Sequence, residues 1–81
     1  MNSARPAYLE IIDFIAAGST PKAVIHFRPS AEAQRRIDDL IERKEDCDLR
    51  PEEKAELGHF MELEHILRMA KAKARQILSR G

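Results

Sequence analysis

The chain has 81 residues, 43 % apolar, 35 % charged and only 5 % aromatic, with fourteen acidic side chains matched by fourteen basic ones. That length makes one domain, and a formal charge of zero removes any argument for nucleic acid from bulk charge. A single cysteine, Cys47, excludes an internal disulfide and predicts a reducing cytoplasm.

A domain this small buries only about 60 to 65 % of the surface its unfolded chain exposes. Its stability margin is thin unless a metal or a second subunit adds to it. Few aromatics and many charges suit helices laced with ion pairs better than sheets. The N-terminal apolar run from Tyr8 to Ala17 is interrupted by Glu10 and Asp13, so it reads neither as a secretory segment nor as a membrane span.

Tyr8, Ile11, Ile12 and Ile15 recur at helical spacing, and Pro6 suits a first helical turn. The spacing predicts a helix over 6–17, ended by Gly18, with Glu10 and Asp13 on its polar side. Thr20 then offers an N-cap and Pro21 a first helical residue, which predicts a short helix over 21–27. The run Ala23 to Phe27 also has strand propensity, but no second strand exists to pair with it. Arg28-Pro29 breaks the chain, since a residue before proline avoids the helical region. Ser30 caps the next helix, over 31–45, whose apolar stripe is Ala33, Ile37, Leu40 and Ile41. Five residues then join it to the last helix, a connection short enough for an antiparallel helical hairpin.

The last helix is predicted over 51–79, uninterrupted by proline and about 43 Å long. A globule of this size is only about 30 Å across, so the helix outruns the core its own chain builds. Arg50 stands where a Ser, Thr or Asp cap is expected, which leaves the start under-capped by about 1 kcal/mol, with Asp48 one turn back as the candidate substitute. Phe60, Leu63, Ile66, Leu67, Ala70, Ala74, Ile77 and Leu78 share one side of the wheel. Leu57 and Met61 lie on another, with Ala72 further along. Two apolar flanks call for two covers, and a second copy of the chain is the simplest second cover. Gly58 costs about 1 kcal/mol against alanine in mid-helix, so it marks either a close helix crossing or a weak spot. Acids crowd the first half of this helix and bases the second. That polarity matches the helix dipole, and it also suits antiparallel pairing in a two-fold dimer.

Three constellations bear on chemistry. Glu56…His59 and Glu62…His65 have the Glu-x-x-His spacing of di-metal carboxylate bundles. The two histidines point about 120° apart, so they share no centre within one chain. Such a site also needs a glutamate from each of two other helices, and nothing singles out Glu10 or Glu42 for the task. Arg68, Lys71 and Arg75 form a basic stripe suited to phosphates, without an interleaved aromatic platform. Cys47 sits between Asp46 and Asp48, with no histidine near it in sequence to activate a nucleophile. No catalytic residue and no cofactor is expected.

Five words carry a resemblance. They are Phe14-Ile15-Ala16-Ala17-Gly18, Val24-Ile25-His26-Phe27-Arg28-Pro29-Ser30, Pro51-Glu52-Glu53-Lys54-Ala55-Glu56-Leu57, Leu63-Glu64-His65 and Lys71-Ala72-Lys73-Ala74-Arg75. Together they span most of the chain, and it resembles a family of short, uncharacterised, all-helical bacterial proteins. Relatives carry a Thr before Pro-Glu-Glu where this chain has Arg50, in keeping with the missing cap. Members of that family are often encoded beside small nucleases of the HNH type. The resemblance implies a partner or antidote role rather than an enzyme, and it carries over no functional residues.

The sequence thus predicts an all-α domain over 1–81, an antiparallel hairpin with an N-terminal helix and a short helix packed across it. The expected function is that of a non-enzymatic protein–protein interaction module, antitoxin-like or nuclease-associated. It is expected to form a homodimer through Leu57, Met61 and Ala72 and the overhang of the last helix. The alternatives are a nucleic-acid binder using Arg68, Lys71 and Arg75, and, weaker, a di-metal site across a dimer.

Overall fold

A computed structural model of the protein describes residues 6–80. They form four helices, α1 (Leu9–Ala16), α2 (Pro21–His26), α3 (Ala31–Glu45) and α4 (Pro51–Ser79), and no strand among the described residues. The class is all-α. None of these helices is long and apolar enough to cross a membrane.

The first helix starts later than its spacing predicts. Pro6 opens a turn instead: the Leu9 amide reaches the Pro6 carbonyl at 3.1 Å and the Glu10 amide reaches Ala7 at 3.3 Å. That three-residue winding delays the α-helix to Leu9. Gly18 closes α1 with φ 83°, a conformation that costs glycine nothing. The Ser19 hydroxyl adds a bond to the Phe14 carbonyl at 3.3 Å.

Both predicted caps are made by side-chain oxygens. Thr20 Oγ1 accepts the Ala23 amide and Ser30 Oγ accepts the Ala33 amide, each at 3.1 Å. Glu10 is not left on a solvent face: its carboxylate accepts both the Ser30 N–H (2.8 Å) and the Ser30 hydroxyl. One acid on α1 thereby fixes the start of α3.

The core is built around α4. Ile11, Ala33, Ile37 and Leu40 pack on Leu57, Phe60 and Leu67, with Tyr8, Phe14, Val24, Phe27, Leu49 and Leu63 half-buried around them. Along α4 the inward positions are Glu53, Leu57, Phe60, Glu64, Leu67, Lys71 and Ala74, alternating four and three apart as in a heptad seam. This corrects the wheel read from sequence. Three of those seven positions are charged, so apolarity alone rotates the stripe away from its true centre. Leu57, expected on an uncovered flank, is 5 % exposed inside the protomer.

Ion pairs tie α3 to α4. Arg43 meets Glu53 near the connection, and Arg36 meets Glu56 (2.9 Å) further out. The order runs opposite ways along the two helices, as in antiparallel neighbours. The molecule measures 48 × 27 × 18 Å, and α4 runs most of its long dimension. Its burial ends at Ala74, beyond which Ile77 is 45 % and Leu78 48 % exposed.

Candidate interaction surfaces

The flanks of α4 carry the surface features. On one side α3 and α4 leave a groove of about 720 Å³. Ile41, Leu49 and Met61 form its walls, and Leu57 and Gly58 line it as well. Lys44 on α3 and Lys54 on α4 stand on its two banks, with Glu45 beside Lys44. No atom lies within 4 Å of the place a Gly58 Cβ would take. No helix crosses closely there, so that explanation for Gly58 falls away.

On the opposite side α1 and α4 enclose a shallower hollow of about 380 Å³ lined by Tyr8, Ile12, His59, Glu62, Leu63 and Ile66. The Tyr8 and His59 rings meet edge-on, centroids 5.2 Å apart. Ile12, Ile15 and Ile66 are 39, 51 and 52 % exposed. Sequence reasoning assigned all three to buried stripes. The α1 stripe is wider than the strip of α4 it covers, and only Ile11 is fully used.

The expected dimer residues are not one surface. Leu57 belongs to the core, Met61 is 49 % exposed at the lip of the α3/α4 groove, and Ala72 lies more than two turns further along, exposed. The basic stripe is also divided. Lys71 is half-buried, and its ammonium donates to the Phe27 carbonyl at 2.9 Å, closing the end of α2. Arg68 pairs with Glu64 at 3.0 Å, and Arg75 is exposed.

Of the residues weighed for a metal, Glu10 and Glu56 are engaged in other bonds. Glu56 receives Arg36 through two bonds, 2.9 and 3.1 Å, and the Ala7 amide at 3.4 Å. His59 Nδ1 lies 3.8 Å from Glu62 of its own helix, while His65 is exposed. Among the described residues no three metal-ligating side chains gather.

The strongest electrostatic feature is structural. Glu53 is 3 % exposed and is met by Arg43, with Arg36 at 3.9 Å. Its carboxylate also accepts the Arg50 backbone N–H at 3.1 Å. An arginine side chain has nothing to accept with, so Glu53 alone supplies the capping bond at this helix start. The substitute for the missing cap is therefore Glu53, and the Asp48 backbone carbonyl is bonded by Arg43. The Arg43 hydrogen bond, then the Arg50 amide, hold the Glu53 carboxyl down to about 2. Arg36 is raised in turn, chiefly by its bond to Glu56.

Compared with protein-family models, curated proteins and solved structures, the chain finds no match.

Proposed function

We propose that the protein is a non-enzymatic, cytoplasmic interaction module whose α3/α4 groove receives an amphipathic helix of another protein. The observation that carries this reading is the groove itself, apolar along Ile41, Leu49, Leu57 and Met61 with a lysine on each bank. A helix laid in such a groove inserts apolar anchors at helical spacing. The banks favour one whose flanks are acidic. Met61 suits a lip that adapts to its occupant, being unbranched and polarisable. Glu53 and Glu56, the acids nearest the core, are neutralised by arginines and serve the fold.

The family resemblance makes a small HNH-type nuclease encoded beside the gene the first partner to test, with the module as its antidote or companion. Calorimetric titration of the two purified proteins measures it. Saturable binding is expected, weakened about tenfold or more when Met61→Glu puts an acid on the lip. Binding that Met61→Glu leaves unchanged removes the groove from consideration.

A nucleic-acid surface on Arg68, Lys71 and Arg75 is the weaker proposal, because Lys71 already serves the Phe27 carbonyl. It requires duplex affinity that falls steeply with salt and disappears when all three become alanine.

A further inference from the structure

We propose that the opposite flank of α4 is a self-association surface, on which a second copy of this chain packs antiparallel about a two-fold axis near Ile66. This goes beyond the docking role of the α3/α4 groove and uses different residues.

Three observations meet on that flank. The first is apolarity. At about 100° per residue, Leu63, Ile66, Ala70 and Ile77 fall within an arc of about 60° on α4. Ile12 of α1 extends that strip sideways, since it lines the same hollow as Leu63 and Ile66. Ile66 and Ile77 are 52 and 45 % exposed.

The second is charge. The same flank is acidic in its first half, at Glu52 and Glu62, and basic in its second, at Lys73 and Arg80; all four are exposed. A parallel pair sets like against like. An antiparallel pair centred on Ile66 sets Glu52 against Arg80 and brings Glu62 near Lys73 of the other copy. Charge placed this way selects orientation more than it adds affinity.

The third is length. Beyond Ala74 the last turns of α4 are exposed, with no cover from the other described residues. In the antiparallel register Ile77 lies over Ala55 of the other copy, beside its Tyr8 and His59. Each overhang then has a seat, and the arrangement closes at two copies, as a two-fold interface must.

Sedimentation equilibrium at micromolar concentrations reads the state of association, and cysteine crosslinking reads the geometry. A dimer is expected. Ile66→Asp faces its own copy across the axis and weakens the dimer roughly 100-fold. Helical circular dichroism should be retained, because Ile66 is outside the core. In a Cys47→Ser background, Ala55→Cys/Ile77→Cys should crosslink between chains, and Ala55→Cys alone should not. If Ile66→Asp fails to fold, the crosslinks decide. A monomer at every concentration, a dimer indifferent to Ile66→Asp, or crosslinking by Ala55→Cys alone overturns the proposal. Met61→Glu leaves this dimer intact, which separates its failure from failure of the groove.

Discussion

The Arg43 guanidinium closes on the Glu53 carboxylate, and Glu53 at the same time accepts the Arg50 backbone N–H. One buried acid thus joins the end of α3 to the start of α4. Its pKa falls to about 2 from an ordinary 4.5, so the folded state binds the proton less readily than the unfolded chain does. The stability this contributes is complete above 4.5 and is lost as pH falls from 4.5 through 2. Melting temperatures recorded by circular dichroism across that window should drop in the native protein. Glu53→Gln should melt lower at neutral pH and lose part of the acid sensitivity. An equal acid-induced drop in both proteins assigns the effect to other carboxylates.

Cys47 is the one described residue other than glycine with positive φ, at 57°. It sits where α3 ends, with its own amide bonded to Lys44 (3.0 Å) and the Asp48 amide bonded back to Arg43 (2.8 Å). That is the Schellman arrangement, which favours glycine at this position. Cys47→Gly should therefore stabilise the fold by about 0.5–1 kcal/mol despite the added freedom of the unfolded chain. A rise of a few degrees in melting temperature checks it. Cys47→Val, β-branched in the same conformation, should melt below the native protein.

The fold is legible in the sequence wherever an interaction leaves a local mark. Thr20 and Ser30 announce α2 and α3 because the capping oxygen and the amide it satisfies are three residues apart. Pro51, with acids directly after it, announces α4. The late start of α1 was hidden, because Pro6 fits a first helical turn and a tight turn equally well. The seam of α4 was hidden for a different reason. Glu53 and Lys71 turn inward because Arg43 of α3 and the Phe27 carbonyl satisfy them, Glu64 is paired with Arg68 on its own helix, and a wheel that counts apolarity sees none of these partners. Leu57 was misassigned as a direct result. The basic stripe failed at Lys71 because a carbonyl acceptor such as that of Phe27 carries no signature in the side-chain sequence.

Gly58 lies mid-helix with open space where a Cβ would go. Gly58→Ala should raise stability by about 1 kcal/mol, the difference in helix propensity, since nothing must move to admit the methyl group. Chemical denaturation measures it. Gly58→Leu should keep most of that gain but fill the α3/α4 groove and weaken partner binding. A destabilised alanine variant means that the helix is not continuous there in solution.

Lys71 and Lys73 are close in sequence and chemically identical, yet only Lys71 bonds to Phe27. Lys71→Ala should cost about 1–2 kcal/mol by stripping a charged donor from the end of α2. Lys73→Ala should change the stability of the protomer by no more than about 0.5 kcal/mol. Denaturation of both variants under dilute, monomeric conditions tests the difference. Equal effects mean that the contact with Phe27 contributes nothing.

Ile66 and Leu67 are adjacent on α4 but 52 and 6 % exposed. Leu67→Ala opens a hole among Ile11, Phe60 and their neighbours, and should cost about 2–5 kcal/mol at any protein concentration. Ile66→Ala removes atoms from a surface, so its cost in the dilute protomer should stay below about 1 kcal/mol. The contrast sharpens on raising the concentration. A dimer adds stability by mass action, and only the native protein should gain it in full. Its melting temperature should climb with concentration, while that of Ile66→Ala stays nearly flat. If both climb together, the second copy packs on some face other than the one Ile66 occupies.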